Sequence, residues 1–221
     1  MDTIVQRKNM VESQVRPSDV TDRRILRAMS EIPRELFVPE AVQGLAYLDR
    51  AIALGSDAAR APRALLDPRT FAKLVQAAEI GPNATVLDVG AASGYSAAVL
   101  ARLGRHVVAL ESDPALAAQA KQVLTEIGAG EVEVVEGALD GGYPPAGPFD
   151  AIVVEGAVET MPAELLDQLK DKGRLVAISR GSGTGRATVW RRDGSVFGTQ
   201  DVFDANAMVL PGFERKAAFV F

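Results

Sequence analysis

Along the first eighty residues the apolar positions recur with helical spacing. Ile25, Leu26, Met29 and Ile32 follow Thr21, which predicts a capped amphipathic helix there. Pro33 and Pro39 bracket an irregular stretch, PRELFVPE. Asp67-Pro68 reads as an N-cap with proline in the first turn, and Phe71, Leu74, Val75 and Ala78 form the apolar face that follows. Gly81-Pro82 stops that helix.

Beyond Pro82 the period changes. Short β-branched runs at 85–89, 106–110, 132–135, 150–154 and 174–178 read as strands. Helical segments are predicted between them at 97–103, from Asp113-Pro114 to Gly128, and at 162–169. This alternation predicts a doubly wound, mostly parallel α/β sheet under an N-terminal helical cap. The tail departs from it: 188–192 and 196–202 flank Asp193-Gly194, the signal of an antiparallel hairpin, and 217–221 is a candidate last strand.

Composition narrows the chemistry. The 221 residues, about one and a half times a ~150-residue domain prior, predict one domain with an appendage. There is no cysteine and one histidine, His106, which removes disulfide scaffolds, cysteine-ligated metals and thiol nucleophiles. A net charge of -5 disfavours nucleic acid as a partner. The polar N-terminus and the lack of an eighteen-residue apolar run predict neither a signal peptide nor a membrane span, hence a cytoplasmic protein.

In doubly wound sheets a ligand sits beyond the carboxyl ends of the strands. The first strand here ends in VLDVGAASGYS, where Asp88 closes the strand and Gly90 and Gly94 flank the turn. Glu111 ends the second strand, 21 positions beyond Gly90, where a carboxylate can accept both hydroxyls of a ribose. A dinucleotide fingerprint needs G-x-G-x-x-G, but from Gly90 those places hold Gly90, Ala92 and Tyr95. Two of three fail, and with them the tight turn a pyrophosphate wants. S-adenosylmethionine, with a ribose and an adenine but no phosphate, suits the spacing better. The plain alternative is an ordinary strand-to-helix turn with an incidental acid.

VLDVGAASGYSAAVLARLG resembles the first motif of the protein-L-isoaspartate O-methyltransferases. VTDRRILRAMSEIPRELFVPE and Ala46-Tyr47-Leu48-Asp49 resemble the family's N-terminal signature, and FDAIVVEGAVETMPAELLDQLKDKGRLV its fourth-strand, helix and fifth-strand block. Met208-Val209-Leu210-Pro211-Gly212 resembles its C-terminal strand. The resemblance implies one methyltransferase domain over 1–221, with 1–80 as the helical cap and 81–221 as the nucleotide-binding core. It implies S-adenosylmethionine as cofactor, a protein, peptide or small carboxylate as methyl acceptor, and a role in protein repair. The implied cofactor residues are Asp88, Gly90, Ala91, Ala92, Ser93, Gly94, Glu111, Ser112, Ala138, Leu139 and Glu155.

The chain departs from the family at three places. Where the family has Thr-Ile-Ser-x-Pro with an active-site serine, this chain has Ala64, Leu65, Leu66, Asp67 and Pro68, so Leu66 takes the serine position. The family's Gly-Asp-Gly near the adenine is replaced by Gly137, Ala138 and Leu139, with Asp140 two places late. Its Thr-Ala-Ala is replaced by Glu155, Gly156 and Ala157. Methylation of a carboxylate needs no base, because an acid with a pKa near ~4 is ionised at neutral pH. His106, at the far end of its strand, is expected to be structural. Arg60, Arg63 and Arg69 either bind an anionic acceptor or form a solvated loop. Loss of the serine hydroxyl predicts weak isoaspartyl methylation, with a silent nucleotide- or partner-binding module as the alternative.

Overall fold

The computed structural model describes residues 2–54, 63–181 and 183–215. Helix α1 (Thr3–Met10) runs on through a π-turn at Val11–Val15, and α2 spans Arg23–Glu31. The cap of α2 is Asp22 rather than Thr21. Asp22 accepts from the Arg24 amide at 2.8 Å, while the Thr21 amide donates to Gln76 Oε1 and ties this end to the next helix. The PRELFVPE stretch forms a 3-10 turn, Arg34–Phe37. Strands β1 (Ile52–Leu54) and β2 (Arg63–Leu65) pair antiparallel as a ribbon of their own, outside the main sheet. Helix α3 (Pro68–Ala77) starts as expected, with Asp67 accepting from the Thr70 amide.

The α/β part contains β3 (Thr85–Val89), α4 (Tyr95–Leu100), β4 (His106–Glu111), α5 (Pro114–Glu126), β5 (Glu133–Glu136), β6 (Phe149–Val158), α6 (Ala163–Leu166) and β7 (Leu169–Ser179). The hairpin strands β8 (Arg186–Asp193) and β9 (Val196–Asp204) complete it. The sheet order is β5-β4-β3-β6-β7-β8-β9, parallel as far as β7 and antiparallel beyond. The strand order reverses at β3, which places the ligand crevice beyond the ends of β3, β4 and β6.

Three of the shifted boundaries have a visible physical cause. Helix α4 starts at Tyr95, two residues early, because Gly94 at φ +95° turns the chain directly into it. Helix α6 is a single turn, because Leu169 already pairs with Phe149 at the start of β7. Strand β6 runs four residues past the expected end because the tail supplies a partner: the Ala157 amide donates to Met208 O, and the Leu210 amide to Ala157 O. The candidate strand at 217–221 lies outside the described residues.

Alternation along β3 divides the core. Leu87 and Val89 face one apolar cluster with Phe149, Leu175 and Phe213. Val86 faces the other, which runs continuously from Met10, Val15 and Met29 through Phe71 to Val153 and Val176. Asp88 shares the side of Val86, buried beneath the N-terminal cap.

Candidate active site

The turn after β3 is built for close approach. Gly90 has φ +81° and Gly94 φ +95°, conformations that L side chains rarely adopt. Ala92 also sits at φ +51°. The turn is held by the Gly90 and Ala91 amides, both donating to Leu110 O. A Cβ on Gly94 would lie 3.1 Å from that of Ala120, so this glycine also lets α5 pack closely. The Ser93 hydroxyl is buried and donates to Phe37 O at 2.5 Å, fastening the cap to the turn.

Glu111 ends β4 fully buried. Its Oε1 accepts from the amides of Ser112 and Asp113 at 2.8 and 2.9 Å, and its Oε2 from the Ala92 amide at 2.7 Å. Arg63 Nη2 forms an ion pair with the same Oε2. Arg63 is thus no solvated loop cation, being only 6% exposed. Arg69 is exposed and lines a separate cavity with Lys73, Phe203 and Asn206, and Arg60 lies outside the described residues.

A second group of polar residues meets on the side of the cap. Arg34 is completely buried, donates from Nε to Ala46 O and from Nη2 to Leu66 O, and lies 4.6 Å from the Tyr95 ring centroid. Arg34, Leu66, Phe71, Tyr95, Glu155 and Gly90 line one narrow cavity of about 10 Å³, room for a single water. Glu155 Oε1 is buried there without a hydrogen-bond partner. Asp88, outside that lining, likewise buries Oδ1 without a partner, although its Oδ2 accepts from Ser96 Oγ at 2.6 Å.

Burial pushes Asp88 up to about 7, against the Ser96 hydrogen bond, and neighbouring Glu111 adds to the rise. Burial, then Asp88, raises Glu155 well above the usual carboxylate range. A carboxyl held above its ordinary value near ~4 binds its proton more tightly folded than unfolded. Stability therefore falls as pH rises from ~4 through about 7. Asp88→Asn keeps the Ser96 acceptor and removes this cost. The variant is expected to exceed the parent at pH 8, by up to about 4 kcal/mol, with the gap closing toward pH 4. Denaturant unfolding at the two pH values measures it, and a pH-independent gap contradicts the assignment.

On the adenine side the two candidates separate. Ala138 is exposed, whereas Leu139 is buried in the apolar cluster of Leu87, Phe149 and Phe213. Asp140 lies against Gly212 and lines a different cavity with Thr160, Glu164 and Arg215. His106 stands at the opposite end of β4, 3.5 Å from Glu133, and takes no part in the site. Trp190 packs in the same cluster as Leu139.

A family model described as "Protein-L-isoaspartate(D-aspartate) O-methyltransferase" matches residues 5–201. The chain belongs to this family. A curated protein-L-isoaspartate O-methyltransferase of Methanoregula boonei is 40% identical over 190 residues, covering 86% of this chain and 85% of its own. One from Herpetosiphon aurantiacus is 43% identical over 172 residues, 78% of this chain and 75% of its own. A solved protein-L-isoaspartate O-methyltransferase shares the fold with a TM-score of 0.84 at 24% identity, over 93% of this chain and 66% of that one. A Plasmodium falciparum family structure, in complex with S-adenosyl-L-homocysteine, shares it with a TM-score of 0.78 at 17% identity, over 92% and 97%.

Within the family fold the three departures acquire surroundings. Leu66 is buried with its carbonyl held by Arg34. Gly156 makes room for the tail: a Cβ there would lie 2.6 Å from Leu210 Cγ and 3.0 Å from Met208 O. Gly156→Ala is expected to cost about 1–3 kcal/mol by overpacking this junction, read from the denaturant midpoint. An unchanged midpoint would show the tail to be free to move aside. Arg34 and Tyr95 were not legible as site residues. The sequence signal for Arg34 is weak: a cation beside Glu35, ahead of the apolar Leu36, Phe37 and Val38, between two prolines.

Proposed function

We propose that this chain is an S-adenosylmethionine-dependent O-methyltransferase acting on a carboxylate of a protein or peptide, in the isoaspartyl class of its relatives, at a reduced rate. The observation that carries the reading is Glu111. Three backbone amides aim its carboxylate beside a glycine turn of left-handed backbone, an arrangement that suits the vicinal hydroxyls of a ribose. The two buried carboxylate oxygens without partners, on Asp88 and Glu155, fit a cationic ligand group beside the same turn. These features make the residues present a fit for the cofactor.

When bound, S-adenosylmethionine supplies a methyl group on a sulfonium sulfur. Glu111, with Ser112 beside it, would hold the ribose. Gly90, Ala91 and Ala92 would admit the ligand to the backbone, and Asp88 and Glu155 would meet its ammonium end. The acceptor needs no general base, since a carboxylate is already ionised at neutral pH. The protein's share is orientation and exclusion of water, and the apolar walls Leu66 and Phe71 serve the second. The continuous core from Met10 to Val176 supports treating the whole chain as one domain. A cytoplasmic repair role is part of this proposal; no helix among the described residues is long and apolar enough to cross a membrane.

Leu66 and the Arg63–Glu111 ion pair favour a second reading, a family member that binds nucleotide or partner without transferring methyl. Methyl transfer from labelled cofactor to an isoaspartyl peptide separates the two. Slow but measurable carboxyl methylation supports the proposal. Cofactor binding with no transfer supports the second reading.

A further inference from the structure

Arg63 stands where the proposed cofactor would go. Its guanidinium shares Glu111 Oε2 with the Ala92 amide, the oxygen that the Ser112 and Asp113 amides leave open. It also lies on the glycine turn, with Nη2 at 3.1 Å and Nη1 at 3.5 Å from the place of a Gly90 Cβ. Leu210 Cδ1 closes the other side of that place at 3.0 Å. Between the turn and Leu66 the remaining space is about 10 Å³, far below the hundreds of Å³ that a nucleoside ligand fills.

Two features distinguish this contact from a permanent structural ion pair. Arg63 Nε is buried with no hydrogen-bond partner, so the closed arrangement leaves a polar group unsatisfied that water would serve. Arg63 is also carried on the β1–β2 ribbon, three residue pairs that make no ladder with the seven-stranded sheet. Two-stranded ribbons hold marginally by themselves, and this one is held by packing: Ile52, Leu54 and Leu65 are buried in the main core, while Arg63 sits in its end pair.

We infer that Arg63 is an internal gate on the cofactor site: its guanidinium and the ribose hydroxyls compete for Glu111, and an adenine nucleoside with a free 2′,3′-diol enters only as Arg63 leaves. The inference rests on the cofactor reading above. The gate makes apparent affinity the product of intrinsic affinity and the open fraction. It also makes opening a step that ligand concentration cannot accelerate.

The test uses S-adenosylhomocysteine and the full chain. Arg63→Met keeps the bulk of the stem and removes the ion pair; it is expected to bind about tenfold more tightly by calorimetry, or better. Arg63→Lys keeps a charge without the planar fork and is expected to fall between the two. The wild-type chain needs no substitution for the second readout. In stopped-flow mixing its observed binding rate should level off as ligand rises, whereas that of Arg63→Met should rise linearly. Wild-type binding that Arg63→Met leaves unchanged or weakens, with linear wild-type kinetics, overturns the gate and leaves the cofactor reading standing. Failure of every variant to bind overturns both.

Discussion

Replacing Glu111 by alanine is expected to abolish S-adenosylhomocysteine binding and to cost about 3–5 kcal/mol of folding stability. The two losses have separate causes. Glu111 is the acceptor we assign to the ribose, so its removal takes away the polar contact that orients the nucleoside. The stability loss comes from what remains behind. Arg63 is 6% exposed, and without Glu111 its guanidinium is a buried cation that has lost its ion-pair partner. The amides of Ala92, Ser112 and Asp113 also lose their acceptor. The double variant Glu111→Ala/Arg63→Met should therefore recover much of the lost stability while remaining unable to bind. Unfolding midpoints and calorimetry on the two variants read these effects independently. A stable Glu111→Ala protein that binds normally would show that neither the ribose nor Arg63 depends on this carboxylate.

Restoring the hydroxyl at position 66 should raise turnover of an isoaspartyl peptide about tenfold to a hundredfold. The estimate comes from one charge-assisted hydrogen bond to the acceptor carboxylate, worth about 1.5–3 kcal/mol in the bound complex. Leu66→Ser also removes a side chain that is 5% exposed in the main core, so a loss of about 2–4 kcal/mol of stability is expected with the gain in rate. Opposite signs in activity and stability are what separate a restored site from a general improvement in folding. Unchanged turnover in a folded Leu66→Ser protein would place the acceptor elsewhere in the crevice.

How much of this was legible in the sequence differs by kind of residue. Strand β3 appears at 85–89 in both readings, because a central parallel strand is buried on both faces and leaves a continuous apolar run between turn formers. Asp67-Pro68 marked the start of α3 because capping is local chemistry, decided within four residues. The failures are non-local. Strand β6 outran its expected end because its partner, Met208–Leu210, lies some fifty positions away. Arg63 read as one of three loop cations because a solvated arginine and a buried one look alike until the partner is known. That partner is 48 residues distant. Arg34 was hidden likewise, since its acceptors are backbone carbonyls, which carry no sequence signature. The glycine turn and the buried strand-end acid, on which the cofactor proposal rests, were therefore readable locally. The proposed acceptor side is marked in the sequence chiefly by Leu66, where the resemblance implies a serine.

The central claim is that the Glu111 carboxylate and the Gly90–Gly94 turn hold the nucleoside of S-adenosylmethionine. Calorimetric titration of the purified chain with S-adenosylhomocysteine, beside NAD as a control, tests it most directly. One-to-one binding of the first and none of the second is the expected result. Absence of binding to S-adenosylhomocysteine in both the wild type and Arg63→Met would contradict the claim, since removing the gate would then have exposed no site.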